Sequence, residues 1–269
     1  MINPYIIIKF NASEISPFDF IINAEKRREA ERHVKSGNKE HFENAFITSH
    51  DKTIWILLEL NPLMRDGQYS GCLVVASDIT KRKKAELLVA AESRVMEKIA
   101  LNHPLQNILE TIVLNIEASV EGGICSILLL DRDGKHLHNG ASPHLPAEYN
   151  AAVEGLAIGE GEGCCGTAAF RKETVIVNDI ATSPLWTKYS DIAARFGLKA
   201  CWSTPIKSDN DVVLGTFAVY YNITRAPNLA DFEIVQRATS QVKIAVEKDY
   251  STVALLESEL SCAGSIRAT

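Results

Sequence analysis

The stretch from residue 159 to 221 constrains this chain more than any other. It strings together a glycine-rich loop, a helix of small residues, a short apolar strand, an aromatic-bearing loop and two long apolar strands. Glycines at 159, 161, 163 and 166 permit turns and close approaches that a side chain would block, so the loop folds tightly over its own sheet or over a ligand. Gly166, Thr167, Ala168 and Ala169 open a helix suited to close packing. The β-branched run Val175, Ile176, Val177 reads as a strand buried on both faces. Residues 200–206 and 212–221 are the next strands, joined through the turn formers Ser208, Asp209, Asn210 and Asp211. The expected class is α+β, an antiparallel sheet with helices set between its strands.

Four blocks in order carry a resemblance: G-x-G-x-C-G-T-A-A at 161–169, V-x-V-x-D-I-A-T-x-P-L-W at 175–186, G-L-x-A-C-W-S-T-P-I at 197–206 and L-G-T-F-A-x-Y-Y at 214–221. They resemble the GAF domains of bacterial signalling proteins. The resemblance implies a module that senses a small molecule or a protein, and it names no ligand. It assigns residues 105–255 to the GAF domain, with long helices at both ends and a helix end or tail at 256–269.

The amino-terminal residues carry a second resemblance. A charged helix at 24–35 stops at Ser36-Gly37-Asn38, and strands follow at 41–47, 53–63 and 71–75, with turns at Ser49-His50-Asp51 and Arg65-Asp66-Gly67. The pattern F-E-N-A-F-x-T-x-x-D-K-T-x-W at 42–55 and the run ending in D-I-T at 78–80 resemble the C-terminal half of a PAS domain. Asp78 or Thr80 caps the following helix, and Asp78 is expected to tie the last strand to it. Only about twenty residues precede the charged helix, so residues 1–80 read as a truncated PAS-like sheet.

Residues 81–104 form a helical linker. Its stripe of Ala85, Leu88, Val95 and Ile99 ends at Asn102-His103-Pro104, where proline removes the amide donor. The next helix, 105–120, repeats Ile108, Ile112, Ile116 and Val120. His136, His138 and His144 cluster near a turn, but no spacing completes a metal site, and none is assigned. In the last helix, Phe232, Thr239, Val246, Val253 and Leu260 recur every seven residues, and Val235, Val242, Asp249 and Leu256 follow by three. That is a coiled-coil seam. It predicts a homodimer through the 232–260 helix, joined in parallel.

The formal charge of −6 excludes a chain-wide basic field for nucleic acid. No apolar run reaches the ~18 residues of a membrane helix, and the expected location is the cytoplasm. Six cysteines, at 72, 125, 164, 165, 201 and 262, show no zinc spacing or disulfide framework.

No cyclase, phosphodiesterase, kinase or P-loop motif occurs, so the expectation is a chain that binds and transmits to an output domain outside it. The alternative is a free methionine sulfoxide reductase-like GAF enzyme using Cys165, by resemblance to the V-C-G-T-A position of that branch. Such chemistry needs a second thiol within reach. Pigment and cyclic-nucleotide binding lack their expected residues, and no cofactor is named. A small-molecule pocket is expected between the sheet and the 159–195 segment, with Trp186, Tyr189 and Trp202 for stacking and Cys165, Asp179 and Thr204 as polar contacts.

Overall fold

The computed structural model describes residues 5–8, 24–47 and 53–266, with side chains described at 24–47 and 53–255. The turn expected at Ser49-His50-Asp51 and the side chains of Leu256, Leu260 and Cys262 lie outside these. The chain divides into two compact units, residues 1–90 and 91–269.

In the first unit, β1 (Tyr5–Ile8), α1 (Ala24–Lys35), β2 (Glu40–Ile47), β3 (Thr53–Arg65) and β4 (Gln68–Asp78) form a helix on a four-stranded antiparallel sheet of order β1-β4-β3-β2. The helix and the meander are the ones expected. Strand β1 is not, because its partner β4 lies about seventy residues on, with Tyr5 opposite Ser77. Helix α1 is charged over most of its surface and buries only Ala30 and Val34, which pack on Leu58, Leu60 and Val74. The D-I-T run joins strand to helix as expected. Asp78, the last residue of β4, accepts the Thr80 amide on Oδ1 at 2.8 Å, which caps α2 (Thr80–Ala100) and ties it to that strand, and Thr80 Oγ1 adds a second tie to the sheet by accepting from the Trp55 amide at 2.9 Å.

The second unit holds α3 (Leu105–Glu117), β5 (Ile124–Leu130), β6 (His136–Ala141), α4 (Ala147–Val153), β7 (Leu156–Ala157), α5 (Gly163–Arg171), β8 (Val175–Val177), α6 (Ser190–Arg195), β9 (Ala200–Lys207), β10 (Val213–Tyr221) and α7 (Leu229–Ile266). Two 3-10 turns, at Ile180–Thr182 and Pro184–Tyr189, lead into α6. The six strands form one antiparallel sheet, β7-β6-β5-β10-β9-β8. The class is α+β.

One face of this sheet packs on helices. Ile108, Ile112 and Ile116 of α3 and Val235, Val242 and Val246 of α7 meet Trp202, Phe217 and Val219 in a single core. The end of α2 joins that layer through Val95 and Ile99, whereas Ala85 of the expected stripe is exposed and Leu88 only half-buried. Arg237 stands 3.8 Å from Glu92, and Lys248 Nζ donates to the Ile99 and Ala100 carbonyls, so α2 and α7 run parallel. The other face carries α4, α5, the 3-10 turns and α6 over a second core of Leu128, Cys165, Val175, Cys201 and Tyr220.

Two local expectations need correction. Helix α5 begins at Gly163 rather than Gly166, which puts Cys164 and Cys165 inside its first turn. Strand β8 is the edge of the sheet and is covered on one side, so Val175 and Val177 are buried while Ile176 is 41% exposed. A β-branched triplet has the same composition on an edge as in a centre.

Candidate functional site

The glycine loop determines how α5 meets the sheet. Gly161 and Gly163 take positive φ values of 80° and 62° that turn the chain into the helix. Gly166 lies so close to β7 that a Cβ there would stand 2.4 Å from the Ala157 carbonyl oxygen. The first turn of α5 therefore sits flat on the sheet edge and directs its cysteines inward.

Beneath that turn is a cavity between the sheet and the α4, α5 and Pro184–Tyr189 segments, where the sequence placed it. Leu128 and Tyr220 form its floor, Tyr149 and Ile192 its flank, and Trp186 and Tyr189 its roof. Its volume is about 20 Å³, room for a single water. Glu162, Cys164 and Cys165 complete the lining.

Glu162 closes the mouth. Its carboxylate accepts from Lys188 Nζ and, at 2.5 Å, from the Tyr189 hydroxyl. Lys188 is first among the causes that hold the Glu162 carboxyl below the usual glutamate range, and Tyr189 adds to it. Burial and the adjoining carboxylate push the Tyr189 phenol up. The Trp186 indole N–H points to Cys164 Sγ at 3.2 Å, and that thiol donates to the Cys201 carbonyl at 3.2 Å. Cys165 Sγ lies 3.7 Å from the Tyr220 hydroxyl. Burial raises the Cys165 thiol above its usual value. The Ser203 and Thr216 hydroxyls, which make no hydrogen bond of ordinary geometry, stand near enough to oppose part of that rise.

Of the six expected site residues, Cys165, Trp186 and Tyr189 meet at this cavity. The other three do not. Asp179 caps the Ile180–Thr182 turn, accepting from the Ala181 amide at 3.0 Å. Trp202 belongs to the opposite core, with its ring 4.9 Å from that of Tyr221. Thr204 is half-buried and bonds to Thr174 Oγ1 at 3.1 Å. Period two along β9 carried the signal: Cys201 and Trp202 face opposite sides, so one strand cannot present both to one ligand. Glu162, Tyr149 and Tyr220 were missed because they come from a helix cap, a distant helix and the last strand.

His136 and His138 stay together, at 3.5 and 3.6 Å from Asp131 Oδ2, while His144 pairs elsewhere. His136 Nδ1 stands 3.5 Å from both Asp131 and Asp133, an association the spacing did not suggest, and these three offer ligand atoms within 4.8 Å of one another. His138 bonds to Glu154 at 2.7 Å and His144 to Glu117 at 2.5 Å. Asp131 and Asp133 also accept from the Lys135 amide, the ordinary work of aspartates in a tight turn.

The GAF domain family matches residues 104–246, which are this sheet, its helices and the cavity. The chain belongs to the GAF family. Among curated proteins it is 38% identical over 191 residues to the methyl sulfide methyltransferase-associated sensor of Methanosarcina acetivorans. That match takes in 71% of this chain and 19% of the sensor, so the chain spans about a fifth of the length of this relative. Among solved structures, the GAF domain of a phosphoenolpyruvate-protein phosphotransferase from Coxiella burnetii is 14% identical with a TM-score of 0.50, covering 63% of this chain and 98% of that one. A free methionine-R-sulfoxide reductase from Neisseria meningitidis, in complex with its substrate, is 17% identical with a TM-score of 0.48, covering 62% and 90%.

Proposed function

We propose that this chain is the sensory portion of a signalling protein, in which the GAF domain binds a small molecule in the cavity under α5 and passes the change through α7 to an output domain. One observation carries the reading: the cavity and the two long helices occupy opposite faces of the same sheet. A ligand that shifts β9 or β10 from one side reaches α2 and α7 on the other. The similarity to a sensor supports the role, and a PAS-like amino-terminal unit, a cytoplasmic location and a homodimer through α7 belong to the same reading. The role is one of binding rather than turnover, since the Cys165 and Cys201 thiols are buried and held neutral, where a thiol catalyst needs an accessible thiolate.

Thermal-shift screening of the whole chain against a metabolite library tests the reading. We expect a compound that raises Tm, with the rise lost in Trp186→Ala. A screen in which no compound acts differently on the two proteins would sink it. Turnover of free methionine sulfoxide that vanishes in Cys165→Ser would replace it with the reductase reading.

A further inference from the structure

The chemistry of the cavity narrows the class of ligand, on the assumption that the cavity is the binding site. Four aromatic rings line it, Tyr149, Trp186, Tyr189 and Tyr220, and Glu162 is its one charged lining residue. Ring faces attract cations, the Tyr149–Tyr220 and Trp186–Tyr189 pairs meet at steep angles of 77° and 82°, and the carboxylate at the mouth attracts the same sign of charge. A neutral ligand gains less from the carboxylate than a cation does, and an anion is repelled by it. A bare metal ion would find one carboxylate and apolar walls in place of the oxygen cage it needs.

We propose that the cavity recognises a small alkylated organic cation, an ammonium or a sulfonium, whose charge replaces the Lys188 ammonium on Glu162 and whose methyl groups lie against Trp186 and Tyr189. Lys188 already shows the arrangement: it is an alkylammonium seated on this carboxylate, with its side chain 63% exposed against 14% for Glu162. The lysine end of the pair is open to water, so Lys188 can exchange Glu162 for hydration when another cation takes its place. The closed cavity is too small for an onium ion, and entry therefore requires Lys188 and Tyr189 to release Glu162. That release frees the Pro184–Tyr189 segment, which bears Trp186 and its contact with Cys164. Binding is thereby linked to movement of the roof.

Calorimetric titration of the full chain with tetramethylammonium and trimethylsulfonium chlorides tests the proposal. Potassium chloride at equal ionic strength controls for salt, and neopentyl alcohol serves as a neutral isostere. We expect the two onium ions to bind and the alcohol and potassium not to. Glu162→Gln, which keeps a hydrogen-bond acceptor for Tyr189, should weaken binding by about tenfold or more. Lys188→Met should strengthen it several-fold by removing the internal competitor, a gain that a merely structural role for Lys188 would not give. Equal binding of alcohol and onium, or weaker binding in Lys188→Met, would overturn the assignment. A neutral or anionic metabolite that binds in a Trp186-dependent way would overturn the cation alone and leave the sensory reading intact. Absence of binding by the onium ions and by the whole metabolite library would remove both.

Discussion

Tyr220 and Tyr221 are consecutive on β10 and stand on opposite faces of the sheet. The Tyr220 hydroxyl is 3.7 Å from Cys165 Sγ in the cavity, while the Tyr221 ring lies 4.4 Å from the Arg225 guanidinium on the helical side. Arg225 also lies 5.1 Å over Trp202 and reaches Asp231 Oδ2 in the first turn of α7 at 2.7 Å. A strand in the middle of a sheet moves as a unit, so the pair joins the cavity to the start of α7 within two residues.

That junction makes a first prediction. Removing the guanidinium in Arg225→Ala leaves the Asp231 carboxylate, 7% exposed, with only the Asn228 amide as a hydrogen-bond donor. Loss of a partner to a buried charged group costs about 1–3 kcal/mol. We expect urea unfolding to show a loss of that size, with part of it recovered when Asp231→Asn is added. A change of only a few tenths of a kcal/mol would mean that the junction is idle.

Gly166→Ala should loosen the cavity by pushing α5 away from β7 and displacing Glu162 at its mouth. The added methyl would meet the Ala157 carbonyl at 2.4 Å and Glu162 Cβ at 2.6 Å, and the first is backbone that cannot step aside. Overpacking of this kind costs about 1–3 kcal/mol. Tryptophan fluorescence should report greater solvent exposure at Trp186. Full retention of stability would show that α5 and β7 are less closely joined than the geometry states.

The Glu162 contacts give a pH dependence whose sign is fixed. Lys188 and Tyr189 depress the carboxyl relative to the unfolded chain, so the stability they lend is complete above the ordinary glutamate value of 4.5 and is lost as pH falls below it toward the folded value. We expect the difference in stability between wild type and Glu162→Gln to shrink on going from pH 6 to pH 3. A difference that grew toward low pH would contradict the assignment.

The fold was legible because its strands and helices announce themselves locally. Ile108, Ile112 and Ile116 mark one face of α3, and the turn formers at 208–211 separate β9 from β10 as expected. The site was half legible. Trp186 and Tyr189 stand out as aromatics in one short loop, but placing Trp202 and Thr204 requires knowing which face of β9 meets the helices. Strand parity separates Cys201 from Trp202, yet only packing decides which of them sees the cavity. Glu162 lies among the loop glycines, and its role depends on a tyrosine and a lysine brought up by a 3-10 turn. Strand β1 was out of reach for a different reason: pairing across some seventy residues leaves no local pattern.

Because the second unit closes its own core, a fragment beginning at Lys81 should fold alone. It retains Val95 and Ile99 of α2, which lie in the same cluster as α3 and α7. Circular dichroism should show one cooperative thermal transition. A broad, non-cooperative melt would show that the second unit depends on the residues removed.

The last prediction concerns self-association through α7. Val235, Val242 and Val246 of the seven-residue seam are buried in the domain's own core, so the upper half of the seam is not free for a partner. Val253 is half-buried beside the β9–β10 hairpin. Ile244 and Leu255, eleven residues apart and so on one side of the helix, are 44% and 62% exposed. Burying such side chains fully yields about 1.5–3 kcal/mol each, and a parallel second copy would do so while bringing both helix ends together. Two partly exposed residues support a concentration-dependent dimer rather than an obligate one. Sedimentation equilibrium should show association that Ile244→Glu with Leu255→Glu abolishes in a chain that stays folded. Val253→Glu should weaken it less, since that residue is already half covered within its own chain. A monomer at every accessible concentration would refute the dimer, and equal loss in both variants would move its interface back to the seven-residue seam.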